Sequence, residues 1–379
     1  MSRRLIVADE NIPEVGRYFS ALGEVRTRPG RSLAASDLGD AEILLVRSVT
    51  RVDAALLEGS RVRFVGTATI GTDHLDLEYL QRQGIAWASA PGCNATSVVE
   101  YVLSGLCVLD GVLERLLSGG RVGIIGLGNV GMRLMQRLRR LGIEAVAFDP
   151  FLAPAPYLRD LDEVLAADVV CCHTPLTRTG PHPTHHLLNA SRLQRLHPGA
   201  VLLNAGRGAM IDNRALLALL NERPDLRVVL DVWEGEPDID LDLLERVAIA
   251  TPHIAGYSLD GKLAGTRMIL DACCSFLNES TPQLEAVAGD APLMRLPSEL
   301  TGAALLRGAV LAAYDVREDD RRLRSALAAG GGAQAFDLLR KHYPVRRELA
   351  AYRVLADTED LSARAKAVLN DLGLAHADP

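Results

Sequence analysis

The stretch Val122-Gly-Ile-Ile-Gly-Leu-Gly-Asn-Val-Gly131 constrains this chain more than any other. Gly126, Gly128 and Gly131 form a G-x-G-x-x-G turn, entered from an apolar run and left into Val130, Leu134, Leu138 and Leu141 at helical spacing. A second apolar run, Glu144 to Phe148, ends at Asp149, eighteen residues past the last glycine. Three glycines alone mark any tight turn. Strand, turn, helix, strand and terminal acid in this order mark a dinucleotide-binding unit. Gly126 permits the turn, Gly128 lets the backbone approach a pyrophosphate, and Gly131 lets helix and strand pack closely. The first N–H groups of the helix then face the anion. Asp149 can accept hydrogen bonds from ribose hydroxyls and repels a 2′-phosphate, and Pro150, Phe151 and Leu152 bring no arginine to neutralise one. The expected cofactor is NAD.

The surrounding chain predicts an α/β protein. Leu5–Ala8, Ile43–Val46, Arg63–Val65 and Ile85–Ala88 read as short buried strands of a smaller parallel-sheet unit. Asn94 to Leu109 is apolar almost all round, which predicts a helix buried between two domains. From Arg121 on, Val122–Ile125, Glu144–Phe148, Val169–His173, Ala200–Asn204, Val228–Asp231 and Ala248–Ala250 alternate with helical spans such as Ser191–Leu196 and Arg214–Asn221. Six strands with helices between them fit a full doubly wound domain. The helical segment Leu263–Asn278 is placed to return to the first unit. Beyond residue 285, Pro292, Pro297 and Gly330-Gly331-Gly332 break the pattern, and Asp319–Ala329, Glu348–Ala356 and Leu361–Leu372 read as helical with few strand signals. The expected domains are residues 1–93 with 254–285, residues 94–253, and a third, mixed domain over residues 286–379.

Composition excludes several classes. A net charge of −7 argues against a nucleic-acid binder, and 48% hydrophobic with 23% charged residues fits a globular enzyme. Six cysteines, two pairs of them adjacent and none in a C-x-x-C pattern, read as free thiols of a reducing compartment. The N-terminal apolar stretch is too short for a signal peptide, and no segment is long enough to span a membrane. These features predict a cytoplasmic protein with neither nucleic-acid nor membrane partners.

Three polar groups follow strands of the second unit, where ligands of such sheets bind. Arg207 lies in Asn204-Ala-Gly-Arg-Gly208, Glu236 in Asp231-Val-Trp-Glu-Gly-Glu-Pro237, and His253 in Thr251-Pro-His-Ile-Ala-Gly-Tyr257. Oxidising a secondary alcohol with NAD needs a base for the hydroxyl proton, and imidazole suits this near neutrality. A neighbouring carboxylate orients the ring and favours its protonated form. A guanidinium can grip a substrate carboxylate and stabilise charge on the adjacent oxygen.

With these motifs the chain resembles the D-2-hydroxyacid dehydrogenase family over residues 1 to about 280, whose Arg, Glu and His match Arg207, Glu236 and His253. Val46-Arg-Ser-Val-Thr50, Phe64-Val-Gly-Thr-Ala-Thr-Ile-Gly-Thr-Asp73, Ala90-Pro-Gly-Cys-Asn-Ala95, Asp231 to Pro237 and Pro252 to Tyr257 narrow the match, as do His342-Tyr-Pro344 and Arg346-Arg-Glu348. The narrowed resemblance implies a flavodoxin-like substrate domain, a doubly wound NAD domain and a C-terminal α+β domain that forms a homodimer. It implies NAD-dependent oxidation of a phosphorylated hydroxy acid, 4-phospho-D-erythronate, in pyridoxal 5′-phosphate synthesis. His253 would move the proton with Glu236 as partner, and Arg207 would hold the carboxylate. Ser48, Thr69 and Tyr257 would contact substrate; Asn129, Val130, Asp149, Thr174, Ala205, Gly206, Arg207, Asp231 and Gly256 would meet NAD. The alternatives are a relative acting on another hydroxy acid, such as phosphoglycerate, and a non-catalytic NAD(H)-sensing dimeric scaffold.

Other constellations carry less. His182, His185 and His186 suggest a metal site, but no Cys or carboxylate stands nearby in sequence, so no metal is expected. His173 reads as core or cofactor lining, and Asp73-His74 as a loop that orients Thr69. The Arg317 to Arg324 cluster reads as a solvated helix face paired with Glu318, Asp319 and Asp320. Arg346 and Arg347 are candidates for reaching a substrate phosphate across a dimer.

Overall fold

Apolar runs of four or five residues are too short to bury a helix face, and here they become parallel strands. The computed structural model describes residues 4–283, 291–297, 299–355 and 363–376. The chain divides into two units, Met1–Asn94 with Tyr257–Asp290 and Ala95–Gly256 with Ala291–Pro379. The domain boundary expected at 285/286 lies outside the described residues.

The first unit holds β1 (Leu5–Asp9), β2 (Glu24–Arg28), β3 (Ile43–Val46), β4 (Phe64–Thr67) and β5 (Ala86–Ala88). Their order is β2-β1-β3-β4-β5, all parallel, as in flavodoxin-like sheets. Alternation along the strands serves two cores. Ile6, Ala8, Ile43 and Leu45 meet Ile269, Leu270, Cys273 and Cys274 of the Leu259–Leu277 helix. On the other face Val7, Leu44, Val46 and Val65 meet Leu56, Leu57, Tyr79 and Leu80. Strand β2 was not anticipated. Its Glu-Val-Arg-Thr-Arg sequence is an edge strand with no fully buried residue, so it carries no apolar run.

The second unit holds β6 (Arg121–Ile125), β7 (Glu144–Phe148), β8 (Val169–Cys172), β9 (Val201–Asn204), β10 (Arg227–Leu230) and β11 (Ile249–Ala250) in the order β11-β10-β9-β8-β6-β7. A single-residue parallel bridge from Leu158 to Ala147 sits where a further edge strand would lie beyond β7. Counting that bridge as strand three gives the doubly wound order, extended by β11.

The Ala95–Val108 helix is buried along nearly its whole length, Glu100 included. Helices of its own unit, Asn129–Arg140, Gly302–Ala313 and Val316–Ala328, pack around it. The C-terminal region also contains a parallel sheet, β12 (Leu293–Arg295), β13 (Arg353–Leu355) and β14 (Ala375–His376), in that order. The helix expected over 348–356 is therefore corrected. Leu349–Ala351 makes one 3₁₀ turn and the chain then extends, with Val354 buried and Arg353 exposed, the alternation of a strand. Ala356 lies outside the described residues.

The C-terminal region grips the nucleotide-binding sheet directly. Asp320 accepts from the Ala250 N–H at the β11 edge (2.8 Å), and Arg324 donates to the Leu244 and Val247 carbonyls (2.7 and 2.9 Å). The arginine cluster is thus only partly a solvated face. Arg321–Glu318 is a solvent-exposed pair, and water screens it so that it adds little to stability. Asp319 is buried, accepting from the Tyr314 and Tyr343 hydroxyls (2.8 and 2.7 Å). Among the described residues, no helix is long and apolar enough to cross a membrane.

Candidate active site

The glycine turn is built as its sequence requires. Gly126 has φ +89°, and a Cβ there would press on Thr174 and His173. A Cβ on Gly131 would collide with the Gly126 carbonyl oxygen, so a side chain there would push the Asn129–Arg140 helix off the strand. Gly128 is the N-cap of that helix, whose first residues are Asn129 and Val130. Asp149, at the end of β7, accepts from the Leu127 N–H (2.9 Å) and the Phe151 N–H (3.1 Å). Its carboxylate is thereby pinned to the turn, where a ribose would lie.

Next to the turn lies Thr174, with Ala205 and Gly206 following the neighbouring strand β9. A Cβ at 206 would sit 3.1–3.3 Å from Thr174, Cys172 and His173 backbone atoms, so glycine suits this position. The Thr174 hydroxyl and both His173 ring nitrogens are buried without a partner among the described residues. Burial also pushes the His173 imidazole down to about 4, so it is neutral at pH 7. Turn, acid, helix N-terminus and unpartnered polar atoms together fit a dinucleotide.

His253 and Glu236 are brought together. His253 Nδ1 lies 2.5 Å from Glu236 Oε1, leaving Nε2 as the ring nitrogen for other chemistry. Burial pushes the Glu236 carboxyl up, but the hydrogen bond and charge of His253 outweigh it and hold the group below the ordinary range. Trp233 joins the two segments, its N–H donating to Glu236 (3.1 Å) and its indole to the Thr251 carbonyl (3.0 Å).

His253 has φ +57°, a left-handed conformation that costs a residue with a Cβ about 1–3 kcal/mol. Asp231 holds it there. Its backbone carbonyl accepts from His253 N–H (2.7 Å), and its carboxylate accepts from Thr251 Oγ1 (2.6 Å), Ile254 N–H (2.7 Å) and Ala255 N–H (2.9 Å). The family resemblance implies that Asp231 also meets NAD; its carboxylate is buried under the 251–255 turn. Tyr101 extends the network with a 2.8 Å bond to Thr251, and nothing local in the sequence links residues 150 apart. Arg207 follows β9 after a turn locked by Asn204, which accepts from Gly206 N–H and donates to the Arg207 carbonyl (both 3.0 Å). Gly256 closes the second unit's segment.

In the first unit, Ser48 follows β3 and is exposed, while Thr69 follows β4. Thr69 is oriented by a relay, with Thr67 Oγ1 2.8 Å from Thr69 Oγ1 and 2.9 Å from His74 Nε2. Tyr257 is half-buried, with Lys262 Nζ 4.8 Å from its ring centroid. Burial, then the Arg47 charge, pushes the Lys262 amine down to about 8. Neither cation is ion-paired among the described residues. Arg47 stands in the Val46–Thr50 motif and Lys262 in the helix that follows Tyr257, but the sequence alone assigns neither a role.

Two expectations are corrected. The histidine cluster does have a carboxylate neighbour, since Glu234 bonds His186 Nε2 at 2.7 Å, and the ligand atoms of His185, His186 and Glu234 lie within 4.8 Å of one another. Glu234 is engaged on its other oxygen by Asn213 N–H (3.3 Å), so the cluster ties a loop to the turn before Glu236. Arg346 is buried within its own chain, not turned toward a phosphate across a dimer.

A nucleotide turn with its acid, and in the same unit an imidazole held by a carboxylate, define an NAD-dependent dehydrogenase of the 2-hydroxyacid class. Residues 108–255 match the family described as D-isomer specific 2-hydroxyacid dehydrogenase, NAD binding domain, and residues 290–373 match a domain of unknown function (DUF3410). The chain is 52% identical to the erythronate-4-phosphate dehydrogenase of Cellvibrio japonicus over 95% of its length and 97% of that protein's. It is 52% identical to that of Azotobacter vinelandii, covering 92% of this chain and 94% of the other. In fold it is similar to Aquifex aeolicus D-lactate dehydrogenase complexed with NAD and lactic acid, with TM-score 0.60 and 23% identity over 73% of this chain and 96% of that one. The chain belongs to the erythronate-4-phosphate dehydrogenase family, a branch of the D-isomer specific 2-hydroxyacid dehydrogenases.

Proposed function

We propose that this protein oxidises 4-phospho-D-erythronate at C2 to (R)-3-hydroxy-2-oxo-4-phosphooxybutanoate, a step toward pyridoxal 5′-phosphate. The observation that carries the chemistry is the 2.5 Å contact between His253 Nδ1 and Glu236. With Nδ1 committed to the carboxylate, Nε2 accepts the C2 hydroxyl proton, and Glu236 stabilises the imidazolium that forms. Arg207 holds the substrate carboxylate and the oxygen that becomes a carbonyl. Bound NAD supplies the acceptor for the hydride leaving C2. Gly126, Gly128, Gly131, Asn129, Val130, Asp149, Thr174, Ala205, Gly206, Arg207, Asp231 and Gly256 would hold it, with Asp149 selecting a ribose without 2′-phosphate. Ser48, Thr69 and Tyr257 supply hydroxyls for a polyhydroxy acid.

The substrate phosphate needs cations, and Arg47 and Lys262 are placed beside Ser48 and Tyr257 without carboxylate partners among the described residues. Lys262→Met is expected to raise KM for the phosphorylated acid about tenfold, as loss of one charge-assisted bond would (about 1.5 kcal/mol). Because the Lys262 amine titrates near 8, it is charged below that pH and loses its charge above it. KM should therefore rise as pH increases through about 8 in the parent, and this rise should vanish in the variant.

A substrate panel read by NADH formation tests the assignment. Preference for 4-phospho-D-erythronate supports it, whereas preference for 3-phosphoglycerate transfers the protein to another branch of the class. The protein also acts as a homodimer through its C-terminal region in this reading. The exposure of Leu293 (62%), Leu338 (45%) and Val345 (78%) supports an apolar contact there. Leu338→Glu should lower the mass in solution from dimer to monomer; an unchanged mass would place the contact elsewhere.

A further inference from the structure

Arg346 is almost completely buried, and its guanidinium reaches from the C-terminal region to the turn that carries His253. One terminal nitrogen donates to the Ala255 carbonyl (3.2 Å), two residues past His253, and the other to the Ser97 carbonyl (2.7 Å). Its planar face covers the Tyr314 ring, with Cζ 3.6 Å from the centroid, and Glu100 lies 3.9 Å away. Glu100 in turn accepts from the Leu349 N–H at 2.8 Å, tying the chain just beyond Arg346 to the Ala95–Val108 helix.

The 251–255 turn is thus held from two sides. Asp231 takes the N–H groups of His253, Ile254 and Ala255, and Arg346 takes the opposite face through the Ala255 carbonyl. His253 sits within this clamp in a left-handed conformation that does not persist unless its surroundings enforce it. A flexible lysine cannot span two carbonyls and stack on a ring as a planar guanidinium does.

We infer that Arg346 is a positioning residue for the dehydrogenase reaction, by which the C-terminal domain holds the His253 turn of the same chain in its reactive conformation. The inference rests on the acid–base role given to His253 above. It gives the domain of unknown function a task within each subunit, separate from dimer contact.

The test compares Arg346→Gln, made also with Glu100→Gln so that no carboxylate is left buried and unpaired, against Arg346→Lys and Arg307→Gln. Arg307 serves as the structural control. It also ties the C-terminal region to the Ala95–Val108 and Val112–Leu117 helices, through the Cys107 carbonyl (3.0 Å) and Glu114 (2.7 Å), but among the described residues it hydrogen-bonds to none of the His253 turn. All are measured as full-length protein for kcat, KM, NADH affinity by fluorescence, Tm and mass in solution. The Arg346 variants are expected to lose at least tenfold in kcat, with NADH affinity and mass unchanged. Arg307→Gln should lower Tm while keeping kcat within twofold. If the Arg346 variants lower Tm like Arg307→Gln yet keep kcat within twofold, Arg346 is only structural and the inference falls. If His253→Asn itself retains parental turnover, the acid–base reading falls first and takes this inference with it. A dead His253→Asn beside fully active Arg346 variants would overturn the inference alone.

Discussion

His253→Asn is expected to lower kcat by about 10²–10⁴-fold, the range for loss of a positioned general base, or about 3–5 kcal/mol of transition-state stabilisation. The variant keeps a side chain of similar reach that can hydrogen-bond Glu236 but cannot take the substrate proton. NADH affinity should change little, because Asp149 and the glycine turn lie on other strands of the sheet. Fluorescence titration beside initial-rate kinetics separates the two effects. Parental turnover in the variant would remove His253 from the mechanism.

Arg207→Lys is expected to lower kcat/KM by roughly 10²–10³-fold, comparable to losing one donor to a developing oxyanion. Lysine retains the charge but not the fork that grips a carboxylate through two parallel bonds. In the parent, Arg207 donates to the neighbouring Gly206 carbonyl (2.9 Å) and so starts from a set direction. A loss confined to KM would mean that Arg207 binds substrate and transition state equally well. A loss shared with kcat supports the charge-stabilising role.

Much of this site was legible because strand ends carry it. Each β-run of the nucleotide-binding sheet reads as a short apolar block, and Asp149, Arg207, Glu236 and His253 each follow such a block. What escaped were features created by distance in the chain. Strand β2 is charged and lies at an edge, so periodicity does not expose it. The Glu234 partner of His186 is 48 residues away, and only the fold brings it near. Arg346 reads with Arg347 as a candidate for a substrate phosphate across a dimer, yet it is buried 91 residues beyond the carbonyl it holds. The strand at Arg353–Leu355 is three residues long and followed a helix-like run, which hid its alternation. The family resemblance pairs Asp231 with NAD, and nothing local in the sequence shows that its carboxylate also holds three donors of the 251–255 turn.

The most direct test of the central claim uses 4-phospho-D-erythronate deuterated at C2, turned over once with NAD by the purified protein. Mass spectrometry of the reduced cofactor should find the deuterium on the nicotinamide ring, with the 2-oxo acid formed in equal amount. NADH formed without label, or no reduction while phosphoglycerate is oxidised, would contradict the account.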